Sequence, residues 1–181
     1  MSHILPEEQM QWFVMRDLKR ANAKLPAYKL LSDKNFEVFV PMKWQLVNKK
    51  GVKERREIPA IPDLLFVHST RKDLDPVVAK TGTLQYRFLR NCNRAPMTVR
   101  NNEMERFMFA VNTSDSPKYY LPDEITPGMY GRKIRIVGGP LNGYEGSLIT
   151  SRGSKTKRIL IELQDFFAVS VEVTSEYIQF V

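Results

Sequence analysis

Residues 131–149 read GRKIRIVGGPLNGYEGSLI, where five glycines follow or flank a short basic segment of alternating apolar residues. A glycine-rich loop of this kind either cradles a phosphate or forms the tight turn of a small β-structure. A P-loop needs Lys and then Ser or Thr after its last glycine, because backbone amides alone do not balance the phosphate charge. Tyr144 and Glu145 stand at those positions, and residues 147–149 continue as a strand. The stretch therefore predicts a turn between two strands and not a nucleotide site.

The region from residue 131 to the end reads entirely as strands. Its segments recur about every ten residues, separated by turn-forming residues. The five candidate strands are Lys133–Val137, Gly146–Ser151, Arg158–Leu163, Ala168–Val173 and Ile178–Val181. An open sheet this small would expose its edges, so we expect residues 131–181 to form a five-stranded SH3-like β-barrel.

Residues 112–130, NTSDSPKYYLPDEITPGMY, precede this barrel and predict a linker. They contain three prolines, are locally acidic and show no helical or strand periodicity. Residues 1–111 instead alternate strand and helix patterns in the order β-α-β-β-α-β-α. The strand candidates are Trp12–Met15, Phe36–Val40, Leu64–Val67 and Tyr86–Leu89. We therefore predict an α+β chain whose first domain is an α/β sandwich with a mainly antiparallel four-stranded sheet.

The chain has 181 residues and a net charge of +8. The excess lies in residues 1–111, which carry 20 Lys and Arg against 12 Asp and Glu. This favours a polyanionic partner such as DNA, RNA or an acidic protein surface. A single cysteine fits a reducing cytoplasm, and no apolar run reaches the length of a membrane span, so we expect a cytoplasmic protein without membrane contact.

The sequence offers no catalytic constellation. His3 and His68 have no Cys or second His at ligand spacing, so we expect no metal site and read His68 as a surface residue. Cys92 has no evident neighbouring base that would activate it as a nucleophile. The carboxylates are scattered and form no acid–base pair. We therefore expect a protein that is not an enzyme and has no cofactor.

The glycine-rich stretch resembles a KOW motif, in which the matching positions are Gly131, Gly139, Gly143 and Gly146. Gly143 and Gly146 are expected to take positive φ in the tight turn. The first domain resembles the N-terminal domain of NusG-type transcription elongation factors. The features that match are Trp12-Phe13-Val14, the strand 36–40 ending at Pro41, a basic hairpin around Gly51, and 59–62 running into the strand at Leu64.

Two departures from the general NusG pattern indicate a specialised paralogue. The family has Phe-Pro-Gly-Tyr before the core strand, where this chain has Ile61-Pro62-Asp63-Leu64, and Pro26 is unusual in the first helix. The sequence of residues 60–67, Ala-Ile-Pro-Asp-Leu-Leu-Phe-Val, resembles that of the UpxY-type antiterminators, which regulate surface-polysaccharide operons in Bacteroides-like bacteria.

The resemblance implies that the first domain binds the clamp helices of the largest RNA polymerase subunit through an apolar depression. The matching positions are Ile61, Leu64, Phe66 and Phe88. Each of them is equally well explained as ordinary core, and Phe66 is the favoured contact because binding hot spots are often aromatic.

The resemblance also implies contact with non-template DNA or nascent RNA. The candidates for the non-template strand lie before the first helix: Arg16, Lys19, Arg20 and Lys24. The hairpin cations are candidates for a contact with upstream DNA or with the polymerase: Lys49, Lys50, Lys53, Arg55 and Arg56. Each set is also explained as a solvated face. Because no aromatic residue is interleaved with the hairpin cations, base stacking is not expected there.

KOW barrels of this family bind termination factor Rho or a small-subunit ribosomal protein. Phe166 and Phe167 are candidate contacts, although barrel core is the favoured explanation because neighbouring strand residues face opposite ways. Arg152, Lys155, Lys157 and Arg158 form a possible RNA contact. The sequence thus predicts a monomeric elongation or antitermination factor, with a KOW-containing RNA-binding protein of the ribosome or its assembly as the alternative.

Overall fold

The computed structural model describes residues 7–19, 24–89, 95–150 and 153–181. The chain divides into two compact units, Met1–Asn101 and Asn102–Val181. This division falls ten residues before the end of the predicted first domain. The predicted domain limits at 111/112 and 130/131 stay predictions, and each unit is described on its own below.

The first unit is built on an antiparallel sheet whose central strand is β1 (Gln11–Asp17). On one side β1 pairs with β5 (Leu64–Ser69), which in turn pairs with β2 (Glu37–Phe39). On the other side β1 pairs with β6 (Leu84–Tyr86) and β7 (Thr98–Val99). The predicted antiparallel sheet is present, with one more short strand than expected and with the predicted strand at 86–89 shifted to begin earlier.

Two helices cover one face of this sheet, α1 (Ala27–Asp33) and α2 (Arg71–Lys80). Their buried residues share a core with alternate residues of β1 and β5, such as Phe13 and Leu65. At the start of α1, Asp17 at the end of β1 accepts a 2.6 Å hydrogen bond from the amide of Ala27, while Pro26 is extended at the N-cap. The Asp17 carboxylate therefore accepts a hydrogen bond from an amide at the start of α1. Pro26, at the N-cap, has no side-chain acceptor that could do so.

A separate two-stranded hairpin is formed by β3 (Met42–Lys49) and β4 (Val52–Pro59). Lys50 and Gly51 at its tip have φ of 52° and 83°, as a tight two-residue hairpin turn requires. Most side chains of the hairpin are exposed. The turn predicted around Gly51 is therefore confirmed.

The second unit contains the helix α3 (Asn101–Thr113) and one antiparallel sheet. The first residue of α3, Asn101, still belongs to the first unit. The strands are β8 (Lys118–Tyr120), β9 (Lys133–Ile136), β10 (Glu145–Thr150), β11 (Lys157–Leu163), β12 (Phe167–Val173) and β13 (Ile178–Phe180). Their order is β13-β9-β10-β11-β12-β8. The five strands expected from the sequence are present, and the mixed α+β class with antiparallel sheets is confirmed.

The sixth strand of this sheet comes from the segment predicted as a linker. Tyr119 of β8 pairs with Val169 of β12 and stacks on Phe167 with ring centroids 5.7 Å apart. Two 3₁₀ turns follow, Pro122–Glu124 and Pro127–Met129. This segment is therefore ordered against the sheet over most of its length.

The glycine-rich stretch forms the turn between β9 and β10, where Gly143 has a φ of 82° as expected. Gly146 does not have positive φ, so that part of the prediction is wrong. It lies within β10, and a Cβ at this position would collide with the carbonyl oxygen of Leu160 on β11. Gly146 is therefore needed for the close approach of two backbones and not for its turn conformation.

Candidate nucleic-acid interface

The hairpin presents its cations on two faces. Cross-strand partners share a face, and successive residues alternate between faces. The pair Leu46↔Arg55 therefore lies on the same face as Asn48↔Lys53, whereas Gln45↔Arg56 and Lys49↔Val52 lie on the other. The five predicted hairpin cations are all exposed, with Lys50 in the turn, but they do not form one surface.

The two arginines of β4 have different surroundings. Arg56 forms an ion pair with Glu54, with nitrogen–oxygen distances of 2.9 and 2.8 Å. The guanidinium of Arg55 instead lies 4.6 Å from the centre of the Trp44 ring. A cation over an indole face is attracted by the ring quadrupole.

Trp44 corrects the expectation that the hairpin lacks an aromatic residue among its cations. It lies on β3, eleven residues before Arg55, and the antiparallel register brings the two together. Its side chain is 54% exposed, and Leu46 on the same face is 67% exposed. Sequence reasoning missed this contact because it considered the run 48–57 alone, although the alternation of 42–49 opposite it was visible.

The four cations before the first helix do not form a single cluster among the described residues. Arg16 is paired with Asp63 at 3.3 Å, and Lys19 donates a 2.8 Å hydrogen bond to the carbonyl of Leu25. Lys24 is exposed, and Arg20 lies outside the described residues. Arg87 also binds Asp63, at 3.2 Å, and burial lowers the pKa of Arg87 while Asp63 opposes that change.

The predicted polymerase-binding residues divide into buried and exposed members. Leu64 and Phe66 share one face of β5, opposite to Leu65 and Val67 in the helix-covered core, and both are buried, Phe66 completely. Ile61 is half-buried. These positions therefore do not offer an open aromatic surface.

Phe88 is the exposed member of the set. Its side chain is 49% exposed, and its ring lies 6.5 Å from that of Tyr86 in an edge-on arrangement. A single β-bridge to Pro96 fixes its backbone. Phe88 thus presents a large apolar side chain to solvent from an ordered backbone.

In the second unit the two adjacent phenylalanines also differ. Phe167 begins β12, is buried and contacts Phe107 of α3, with ring centroids 5.5 Å apart. The favoured interpretation of Phe167 as a core residue is therefore confirmed. Phe166 is half-buried in the preceding turn. Of the two, only Phe166 retains surface for a partner.

The prediction that Arg158 belongs to a possible RNA contact is wrong. It is buried in β11, where it donates to Ser170 Oγ at 2.9 Å and to the carbonyl oxygens of Ser170 at 2.7 Å and Ser116 at 2.5 Å. It also pairs with Glu172 at 3.0 Å. Its guanidinium therefore holds strands together; Arg152 lies outside the described residues.

His68 is less exposed than expected. Its Nδ1 lies 2.7 Å from Glu37, and its ring stacks on Trp12 at 4.9 Å. In the described ranges, no group of three or more His, Cys, Asp or Glu residues is arranged to hold a metal ion. His3 and Cys92 fall outside those ranges. The Tyr144 hydroxyl donates to the carbonyl of Arg106 at 2.8 Å, a structural contact where a P-loop would have its lysine.

Comparison with known proteins places these features in a family. The model of the family described as transcription termination factor NusG matches residues 10–108. A solved structure of Thermotoga maritima NusG, concerned with domain interaction in that protein, is similar in fold with a TM-score of 0.52. The identity is 11%, over 96% of this chain and 98% of that one. A search of curated proteins found no match.

The matched range contains the whole antiparallel sheet of the first unit, the basic hairpin and Phe88. None of the helices in the described part of the chain combines the length and apolarity needed to cross a membrane. The family is one of transcription factors and not of enzymes. Because its model covers more than half of the residues, the chain belongs to the NusG family of transcription elongation and antitermination factors.

Proposed function

We propose that this protein binds the clamp helices of the largest RNA polymerase subunit through its first unit and suppresses pausing or termination. Members of the NusG family generally bind RNA polymerase. The observation that carries the proposal is Phe88, an exposed aromatic side chain on an ordered segment of the family-matched region. Such residues dominate binding energy at protein interfaces.

The mechanism requires no catalysis. A factor that binds the elongating state of the polymerase more tightly than the paused state shifts the equilibrium towards elongation by that difference in affinity. The basic hairpin supplies a second contact, to DNA or RNA near the polymerase, through Lys49, Lys50, Lys53, Arg55 and Arg56.

Phe88→Glu tests the polymerase contact in the full chain. Burying a carboxylate in an apolar interface is costly, so we expect binding to purified polymerase to weaken by about 100-fold. Phe180→Glu is the matched control, because Phe180 is 47% exposed on β13 of the second unit. Equal binding by both variants and the parent chain would remove Phe88 from the interface.

Phe66→Ala, the substitution that the sequence favours, is a poorer test. Phe66 is fully buried, and truncating a buried phenylalanine costs about 3–5 kcal/mol of stability. Lost polymerase binding in that variant would follow from misfolding as readily as from a lost contact.

We further propose a specialised role on particular operons, such as those for surface polysaccharide. The sequence of residues 60–67 supports this role. The second unit would act as a KOW domain that binds Rho or a small-subunit ribosomal protein, with Phe166 at the contact. Run-off transcription on the protein's own operon leader, with and without the protein, tests the operon-specific role. Tight rRNA binding without polymerase binding would instead favour the ribosomal alternative.

A further inference from the structure

The second unit contains a small pocket beside the C-terminal end of α3, with a volume of about 160 Å³. Its walls come from the end of α3, the β9–β10 turn, the end of β12 and the 3₁₀ turn that follows β12. We propose that this pocket binds a lysine side chain that a partner protein presents on an apolar segment. The inference goes beyond the proposed function, because neither Phe88 nor Phe166 lines this pocket.

The size of the pocket selects a single side chain. Pockets for drug-sized ligands and cofactors have volumes of about 300–1,000 Å³, whereas a water molecule takes about 30 Å³. The volume here lies between these values. Ile136 and Leu141 are buried apolar residues of the wall, and Val173 is half-buried. Such walls suit the methylene stem of a long side chain whose polar end reaches beyond them.

Polar acceptors lie where the pocket meets the end of α3. The last carbonyl groups of a helix have no partner within it and carry the negative end of the helix dipole. No basic residue stands in the last turn of α3 to offset that charge. The hydroxyl of Ser114, which follows α3 and lines the pocket, is buried without a hydrogen-bond partner among the described residues. An ammonium group would bring donors and positive charge to these acceptors.

The charge around the pocket also favours a cation. Three segments form and border it, residues 107–117, 136–144 and 171–178. These segments contain no Lys or Arg, although the whole chain has a net charge of +8. They contain three carboxylates, Asp115, Glu172 and Glu176. A cation that enters the pocket therefore meets opposite charge and no like charge from these segments.

Glu172, which lines the pocket, keeps one carboxylate oxygen available. Arg158 offsets its charge, but Arg158 binds Oε1, at 3.0 Å, and Ser116 donates to the same oxygen at 2.7 Å. No hydrogen bond to Oε2 is formed within the described part of the chain, and half of the side chain is exposed. Oε2 can therefore accept a hydrogen bond from a ligand.

Tyr177 supplies an aromatic wall. A Cβ added to Gly138 or Gly139 would meet its ring at 3.1 or 3.0 Å, so the ring packs closely on the β9–β10 turn. The residue is still 38% exposed, and an ammonium group is attracted to the face of such a ring. Pro140 is exposed beside it and also lines the pocket. This apolar rim suits a lysine with apolar neighbours in a polypeptide better than a free polyamine.

The acceptors favour lysine over arginine. A guanidinium is a rigid plane with five donors, whereas an ammonium is compact and has three. The pocket offers acceptors of three kinds, namely the Ser114 hydroxyl, the carbonyl end of α3 and Glu172 Oε2. Three donors can be satisfied in this space, whereas a buried guanidinium would leave donors without partners.

A tripeptide titration tests the pocket in the full chain. The probe is acetyl-Leu-Lys-Leu-amide, added to protein labelled with nitrogen-15 and followed by NMR. We expect the amide signals of Ser114, Gly138 and Thr174 to shift and to saturate at about millimolar concentration, as a single bound side chain allows. The same peptide with norleucine in place of lysine has the stem without the charge and should bind at least about 10-fold more weakly.

Substitutions at the two ends of α3 separate the pocket from general attraction. Asp115→Lys and Glu105→Lys each raise the net charge by two, and Glu105 lies in the N-terminal half of α3. We expect Asp115→Lys to weaken binding about 10-fold and Glu105→Lys, the matched control, less than twofold. Ser114→Ala should weaken binding about fivefold while leaving thermal stability unchanged or higher, because its hydroxyl has no partner in the free protein.

Several outcomes would overturn the proposal. Equal binding of the norleucine peptide would remove the cation, and equal binding of acetyl-Leu-Arg-Leu-amide would remove the preference for lysine. Butylammonium that binds as tightly as the lysine peptide would replace the partner protein by a small amine. Equal losses in Asp115→Lys and Glu105→Lys would place the attraction outside the pocket. Polymerase binding is measured separately with Phe88→Glu in the first unit, so failure here is distinguishable from failure of the proposed function.

Discussion

In this protein the residue type at one position can be determined by a neighbour that is distant in sequence. Gly146 is the second residue of β10, and glycine within a strand ordinarily weakens the sheet because it has no side chain to contribute. Here the Leu160 carbonyl occupies the space that a Cβ would need. The residue type at 146 is therefore fixed by the pairing of β10 with β11.

Gly146→Ala should destabilise the second unit. The added methyl group must displace backbone, so we expect the free energy of unfolding to fall by about 2–3 kcal/mol in urea denaturation. Gly82→Ala is the control, because a Cβ there meets no atom within 4 Å and the φ is ordinary. That variant should be neutral or stabilised by about 0.5 kcal/mol. A stable Gly146→Ala protein would contradict the close approach.

Tyr86 is a second residue whose environment decides its chemistry. Its hydroxyl donates a 2.6 Å hydrogen bond to Asp75, which also holds Arg71 at 2.9 Å. Burial, and then the hydrogen bond to the Asp75 carboxylate, raises the pKa of Tyr86 well above its usual value of 10.0. Because the folded pKa is raised, the stabilisation is fully present below about pH 10 and is lost as the pH rises towards the folded pKa.

Tyr86→Phe should therefore lower stability at neutral pH by about 1–2 kcal/mol and reduce its dependence on alkaline pH. Urea unfolding at about pH 8 and about pH 11 checks this, with the difference between parent and variant expected to shrink at the higher pH. The other tyrosines, including Tyr144, are present in both proteins and cancel in that difference. An unchanged difference would show that ionisation of Tyr86 is not linked to unfolding.

At the scale of elements, the sequence predicted most strands and helices but not all of their pairings. Continuous apolar runs were sufficient for β1 and β5, which are buried on both faces, and turn-separated strand segments were sufficient for the strands after residue 131. Neither pattern was sufficient for β8, whose three residues between prolines have little periodicity. That strand exists through its pairing with the edge of β12, a tertiary contact that no local pattern encodes.

The same limit applies to the candidate interface. The exposed cations of the hairpin could be predicted, since charged runs around glycine rarely become buried. The contact of Trp44 with Arg55 needed the alternation of 42–49 to be aligned across the predicted turn, and the burial of Arg158 could not be predicted because it depends on which strands lie alongside. Cross-strand register is thus the information that the structure adds.

Arg158 illustrates what such a cross-strand contact contributes to an element. Its guanidinium joins β11, β12 and the segment that leads into β8 through the carbonyl of Ser116. We expect Arg158→Lys to lower the free energy of unfolding by about 2 kcal/mol, because an ammonium group cannot reproduce the planar fork. Hydrogen exchange should also increase at Lys118–Tyr120.

Arg135→Lys is the matched control for that substitution. Arg135 forms an ion pair with Glu145 in the same sheet, but its side chain is 50% exposed. Exposed pairs contribute little, so its loss should be within about 0.5 kcal/mol. Equal effects of the two substitutions would show that the buried network is not what stabilises β8.

At the scale of the whole molecule, the question is whether the overall charge or its placement governs nucleic-acid binding. A net charge of +8 attracts any polyanion at low salt. Long-range attraction depends on total charge, whereas a bound phosphate depends on the cation in contact with it. Two substitutions with the same change in net charge can separate these effects.

Lys53→Glu and Lys133→Glu each lower the net charge by two. Lys53 lies on the Trp44 face of the hairpin, whereas Lys133 is exposed on β9 of the second unit. We expect Lys53→Glu to weaken the binding of a labelled single-stranded oligonucleotide about 10-fold at moderate salt and Lys133→Glu to have less than a twofold effect. The slope of log affinity against log salt should become shallower by about 0.7 per lost phosphate contact, in the first variant alone. Equal losses would place the attraction in the overall charge and leave the hairpin without a binding role of its own.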